Sequence, residues 1–351
     1  MKFFAVCFMI FIVFSVVTAV YRRLLLKNFY YKCSFNKTEV FEGEEIEFTE
    51  TVSNNKFLPV PWLKSELTTS EFLEFSELQS TVTDKTRLVT SFFSLSGFSK
   101  ISRTWKIKCS RRGIYEISRV VITASDILGY VKKSFFEDIS CFENIRVKVL
   151  PLPADENCFT VDQSEVSGDF FSVPKLISDP FFINGVRDYT PCDGIRNINW
   201  YASAREQKLM VSKNDYTSDM SATVFLNIQT SPADRDMAVY TDRTEKCIRV
   251  CAAIINKCSD LGIAVRLLCN NGEPGTVLDV VSEDKFSLFR EMAAIDYRIS
   301  IPFDQMLSCT IPEIYNSRII VVSAFRSEIF EIIKNERSEV FFVVPDGGEA
   351  V

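Results

Sequence analysis

Asp188-Tyr189-Thr190-Pro191-Cys192-Asp193-Gly194-Ile195-Arg196-Asn197-Ile198-Asn199-Trp200-Tyr201-Ala202-Ser203-Ala204-Arg205 stands where the texture of the 351-residue chain changes. Pro191 and Gly194 bracket a turn, and Asp193 within it can accept backbone N–H groups. Arg187, Arg196 and Arg205 bring three guanidinium groups near Asp188 and Asp193. Bidentate pairing of arginine with carboxylate commonly fixes one element against another, so a structural network is favoured here over an anion site. Trp200 reads as a packed anchor.

Upstream of this stretch, residues 33–150 read as short strands. Glu45-Ile46-Glu47-Phe48 alternates polar and apolar, with Val52 in phase and Glu50 out of it. Asn54-Asn55-Lys56 signals a turn, and Pro59 and Pro61 punctuate the next segment. Further strands are expected at Leu88–Phe93, Arg103–Cys109, Gly113–Ile117, Val120–Thr123 and Ile145–Leu150. This spacing, without a convincing long helix, predicts an antiparallel β-sandwich. Residues 151–220 form a connector that carries the stretch quoted above.

Downstream, residues 221–351 alternate short apolar runs (Thr223–Leu226, Ile263–Cys269, Ile319–Val322, Val340–Val344) with helical periodicity over 236–261, Lys285–Ile295 and Ser327–Lys334. Such alternation predicts a parallel sheet with helices on both faces. No GxGxxG or GxxxxGK[ST] run occurs, so neither a dinucleotide nor a P-loop phosphate site is expected.

At the N-terminus, residues 3–20 are apolar and uncharged, and Arg22, Arg23, Lys27 and Lys32 come directly after them. Length and flanking charge predict a membrane anchor over residues 1–32, with a single span near residues 3–20 and the soluble domains on the cytoplasmic side of the cell membrane. The rival reading is a cleaved signal peptide ending at Val17-Thr18-Ala19. Eleven cysteines without a CxxC pair suit a reducing compartment. Cys247, Cys251 and Cys258 fall at helical spacing, where cysteines pack as small apolar residues.

There is no histidine, which removes Ser-His-Asp and Cys-His catalysis and any imidazole zinc site. Lys+Arg total 40 against Asp+Glu 46, so no global basic field invites nucleic acid. The expectation is a protein that is not an enzyme. A hydrolase using Asp188 and Asp193 is the weaker alternative, because neighbouring arginines would depress both carboxyls. An exported envelope adhesion protein is another.

The quoted stretch resembles the signature of the bacterial domain-of-unknown-function family 58. The matching residues are Arg187, Tyr189, Asp193, Arg196, Ile198, Trp200, Ser203, Ala204, Arg205 and Leu209, with Cys192 where glycine is usual. Arg112-Gly113-Ile114-Tyr115, Ser125-Asp126-Ile127-Leu128-Gly129, Glu42-Gly43-Glu44 and Pro59-Val60-Pro61-Trp62 are similar to the family's upstream elements. The resemblance implies a von Willebrand factor A-like (Rossmann-like) last domain and a MoxR-type AAA+ ATPase as protein partner. It also implies a metal-ion-dependent adhesion position at Asn227, Gln229 and Ser231, where Asn replaces Asp and Gln replaces Ser. With the anionic ligand lost, no cofactor and no tight divalent metal are expected unless Asp234 or Asp236 substitutes.

Overall fold

The computed structural model describes residues 2–25, 27–76, 78–125, 132–137, 144–155, 159–161, 183–190, 198–214, 221–314, 317–327, 329–330, 332–333 and 340–345. Two compact units emerge. The first comprises Met1–Asp155 together with Ile248–Ala253 and Asp284–Tyr297; the second holds Glu156–Cys247, Ile254–Glu283 and Arg298–Val351.

The first unit opens with helix α1 (Lys2–Leu24). Its first six strands are β1 (Phe29–Phe35), β2 (Glu39–Phe41), β3 (Glu45–Asn54), β4 (Val60–Ser70), β5 (Leu73–Phe75) and β6 (Gln79–Thr83). They continue with β7 (Thr86–Leu95), β8 (Ser99–Cys109), β9 (Gly113–Glu116), β10 (Arg119–Ser125), β11 (Lys132–Glu137) and β12 (Arg146–Leu150). One antiparallel sheet runs β1-β3-β8-β5 and a second runs β11-β10-β4-β7-β6, while β2-β12-β9 form a small third sheet. The expected sandwich is therefore present. Its core takes the inward half of each alternating strand, including Ile46, Phe48 and Val52 of β3, Leu63 and Leu67 of β4, and Val120 and Ile122 of β10.

The alternation has one notable member. Glu50 occupies an inward position of β3, between Phe48 and Val52, and is fully buried. Its Oε1 accepts from Tyr31 OH (2.7 Å) and Ser65 Oγ (3.1 Å). Its Oε2 accepts from Ser91 Oγ (2.7 Å) and Trp105 Nε1 (3.1 Å). These donors come from β1, β4, β7 and β8, so one carboxylate pins both sheets. Burial, and then the Glu50 charge, push the Tyr31 phenol well above its usual range.

The second unit contains β13 (Phe159–Val161), β14 (Ile183–Asp188), α2 (Trp200–Glu206), β15 (Met210–Asn214), β16 (Ser221–Leu226) and α3 (Thr241–Asp260), whose Ile248–Ala253 groups with the first unit. Then come β17 (Ala264–Cys269), β18 (Leu278–Ser282), α4 (Lys285–Ala294), α5 (Phe303–Thr310), β19 (Ser317–Val322) and β20 (Val340–Pro345). By packing, α4 belongs to the first unit. There its Arg290 meets Glu39, and its Phe286 and Phe289 meet Phe41.

The expected von Willebrand factor A-like parallel sheet with helices on both faces is corrected. The sheet found is mixed, in the order β13-β20-β19-β16-β17-β18. Only β20, β19, β16 and β17 run parallel, and antiparallel strands β13 and β18 close both edges. The connection from Cys269 to Leu278 is too short for the crossover that a parallel neighbour needs, so β18 folds back against β17. Phe225, Phe303, Met306, Leu307, Phe330 and Phe342 build the core on one face of this sheet. Cys247, Cys251 and Cys258 of α3 are buried, and burial lifts the Cys247 thiol to about 12 and the Cys258 thiol to about 11.

The membrane reading is corrected too. Among the described residues no helix is long and apolar enough to cross a membrane. The single-pass cell-membrane placement, with its span near residues 3–20 and cytoplasmic domains, falls on that ground.

Candidate functional site

Three parallel strands end side by side, with Leu226 in register with both Cys269 and Val322. The next residue of each is polar: Asn227, Asn270 and Ser323. All three are buried. Asn227 Nδ2 donates to Ser323 Oγ (3.0 Å), and Asn227 Oδ1 accepts from Asn270 Nδ2 (3.2 Å) and from Gln229 N (2.9 Å). Asn270 Oδ1 in turn accepts from Ile228 N (2.9 Å). The carboxyl edge of the sheet is thus stitched by neutral amides and a hydroxyl.

The loop after β16 is tied down by the same chemistry. Gln229 Nε2 donates to the Asp234 carbonyl (2.9 Å), and its Oε1 accepts from Phe303 N (2.7 Å) at the start of α5. Asp234 Oδ2 accepts from Thr230 N (2.9 Å) and Thr230 Oγ1 (2.7 Å), with Val239 N farther off at 3.4 Å. Ser231 Oγ accepts from Ala233 N (3.2 Å). These residues do not fit a divalent cation. Asn227 and Gln229 spend their carbonyl oxygens on N–H donors, and Asp234, the carboxylate that the sequence left as a substitute, is turned onto its own loop. Among the described residues, no cluster of three or more His, Cys, Asp or Glu is arranged to hold a metal ion. Asp236 is exposed.

What this loop leaves outside is apolar. Met237, Val239 and Tyr240 are all more than half exposed, and Arg243 stacks over the Tyr240 ring at 5.1 Å. The backbone beneath them is held by the bridge between Met237 and Arg298 and by Ile299 N donating to the Asp236 carbonyl (2.9 Å).

The signature segment behaves differently from its sequence reading. Asp193 and Arg196 lie outside the described residues. Arg187, whose Nη1 donates to the Asp188 carbonyl (3.2 Å), is exposed, as is Arg205 in the last turn of α2. The Asp188 carboxylate pairs with Lys208 (2.7 Å), a residue the expected arginine network did not include. Trp200 is 65% exposed rather than packed. Tyr189 is placed by its backbone, its N–H donating to the Leu209 carbonyl (2.9 Å).

Two residues that the sequence analysis gave no role hold the segment. Asn199 caps α2 by accepting from Ala202 N (3.0 Å). Ser203 Oγ donates to the Asn199 carbonyl (2.7 Å) and accepts from Met210 N (2.8 Å), latching α2 to β15. A polar residue three positions before Ala202, just ahead of a helix, was the available signal for Asn199.

Asn227→Asp is expected to destabilise the second unit by about 2 kcal/mol at neutral pH, since the Nδ2 donor is lost and a charge is buried. Burial raises the new carboxyl's folded pKa above its unfolded value, so the deficit is fullest above that folded pKa. It shrinks as pH falls toward the unfolded carboxylate range near 4. Urea melts of both chains at several pH values read this directly.

Likenesses to solved structures are low in TM-score. A non-cellulosomal cohesin from Archaeoglobus fulgidus has 15% identity over 30% of this chain and 89% of its own, with a TM-score of 0.21. The CARDB domain of a Pyrococcus furiosus protein has 16% identity over 34% and 91%, with a TM-score of 0.22. A β-glucosidase from Listeria innocua has 13% identity over 34% of this chain and only 16% of its own, with a TM-score of 0.21. No curated protein matches the chain. Residues 185–278 match the model of the family described as protein of unknown function DUF58, the family whose signature this segment resembles.

Proposed function

We propose that the chain is a non-enzymatic interaction and assembly protein that works with an AAA+ ATPase of the MoxR type. The observation that carries the reading is the loop after β16. Its polar side chains are consumed in holding the loop, while Met237, Val239 and Tyr240 are presented outward. A catalytic centre would need polar groups aimed at a substrate, whereas an exposed apolar cluster on a rigid loop is what a protein partner buries. The choice of an ATPase partner rests on the family resemblance.

Capture of the ATPase by the full chain, with nucleotide held constant, is the test. Met237→Asp together with Tyr240→Ala is expected to weaken capture at least tenfold while leaving the urea midpoint unchanged, because both side chains already face water. Capture is expected to persist in EDTA, since no metal bridge is invoked. Undiminished capture by the double variant would remove this loop as the docking site, and failure of the wild-type chain to capture the ATPase would remove the partner.

A further inference from the structure

One end of the sandwich is chemically unlike the rest of a chain whose formal charge is −6. Strand register places there the start of β1, the end of β3, the start of β4, the start of β8 and the β10–β11 edge. Asn54 lies opposite Phe29 and Ser99, Ser53 lies opposite Tyr30 and Lys100, and Ser125 lies opposite Trp62 and Lys132. Segments 23–34, 52–64, 94–103 and 132–136 contain no aspartate or glutamate. They bring Arg23, Lys27, Lys32, Lys100, Lys132 and Lys133 to the surface. Glu44 and Glu45 sit at the far end of β3, roughly 30 Å away at 3.4 Å per residue.

Two loop tips project aromatic rings from this end. Phe57 is 84% exposed and Phe98 is 72% exposed. The tips are held together: Phe98 N donates to the Lys56 carbonyl (3.0 Å), and a Cβ on Gly97 would overlap the Phe57 carbonyl oxygen. Asn54 Nδ2 braces both loops by donating to the carbonyls of Leu58 (2.9 Å) and Ser96 (2.8 Å). Beside them, Lys56 Nζ is buried without a hydrogen-bond partner among the described residues. Bracing of this kind presents the rings without cost in loop entropy on contact.

Helix α1 is fastened at this same end. Tyr21 OH donates to the Pro59 carbonyl (2.8 Å), Asn55 N donates to the Asn28 carbonyl (2.9 Å), and Leu25 is buried in the sandwich core. Phe8, Met9, Ile10 and Phe11 of that helix are exposed. Apolar side chains, then aromatic tips, then cations with no acid beside them among the described residues is the order of a bilayer surface met from the water side.

We infer that this end of the sandwich docks on an anionic phospholipid surface, with Phe57 and Phe98 entering the headgroup layer and Lys27, Lys100, Lys132 and Lys133 facing the phosphates. The contact is peripheral and involves no span. Nucleic acid would also be drawn to the cations, but it gives the exposed aliphatic side chains of α1 nothing to bury against.

Amide hydrogen exchange of the full chain decides the matter, with detergent removed in the presence of phosphatidylcholine vesicles made with or without phosphatidylglycerol. Residues 54–59 and 96–99 are expected to exchange several-fold more slowly on the anionic vesicles than on the neutral ones, with 270–276 unchanged as the control. Lys27→Gln and Lys100→Gln should each weaken vesicle partition about fivefold, and added salt should do the same. Phe57→Ser with Phe98→Asn should abolish the slowing; asparagine tolerates the positive φ of 53° at that position. Equal exchange on the two vesicle types would overturn the inference. Slowing of the same loops by a single-stranded oligonucleotide, but not by vesicles, would replace lipid with nucleic acid.

Discussion

Glu50→Ala is expected to lower the stability of the first unit by about 3–5 kcal/mol, enough to unfold a marginal domain. The carboxylate accepts from Tyr31, Ser65, Ser91 and Trp105, and these donors lie on four strands of two sheets. Removing it leaves a cavity and strands its donors. The two serine hydroxyls can turn toward other acceptors, but the Trp105 indole N–H cannot. Glu50→Gln separates charge from shape. Its carbonyl oxygen still serves two donors, while its NH₂ group meets donors on the other side, so a loss of about 1–3 kcal/mol is expected. Urea unfolding monitored by tryptophan fluorescence measures both. An alanine variant within about 0.5 kcal/mol of wild type would show that the carboxylate pins nothing.

Gly113→Ala is expected to cost about 2–4 kcal/mol. Gly113 has φ +152°, and a Cβ there would lie 2.7 Å from the Tyr115 ring carbon and hydroxyl oxygen. That ring cannot simply swing away. Its hydroxyl donates to the carbonyls of Arg111 (2.9 Å) and Arg112 (2.7 Å), closing the loop on itself. The closed loop aims Arg112, whose Nη1 donates to the carbonyls of Met292 (2.7 Å) and Ile295 (2.9 Å) at the C-terminus of α4. The Arg-Gly-x-Tyr motif is thus a device for capping one helix. Tyr115→Ala removes the obstacle, so Gly113→Ala in that background should cost clearly less than in wild type; purely additive losses would refute the contact. Faster amide exchange at 292–297 in Arg112→Ala would report the lost cap.

The alternating runs of residues 33–150 carried the sandwich in plain view, because a half-buried strand must repeat every second residue. Glu50 was visible as the residue that broke the pattern. Its partners were not, since the donors stand 15 to 55 positions away and only the packing of two sheets brings them to one carboxylate. The family signature was legible from Arg187 to Leu209, but the pairing of its Asp188 carboxylate with Lys208 was not. The loss of the anionic ligand at Asn227 could be read directly, whereas the use of its amide to join three strand ends could not.

Strand direction in the second unit was hidden for a different reason. Leu278–Ser282 was not among the expected strands, and connection length together with the free edge of β17 decided its antiparallel pairing. Helix α4 was foreseen over Lys285–Ile295, but its place beside the sandwich depends on Glu39, Phe41 and Arg112, all more than 170 residues upstream. Local periodicity and turn chemistry act within a few residues, so the sequence by itself determined which segments become strands and helices and which face of each is apolar. Pairing direction, the company of each buried polar group and the unit to which a helix belongs are settled by contacts across the chain, and only the tertiary structure decided them.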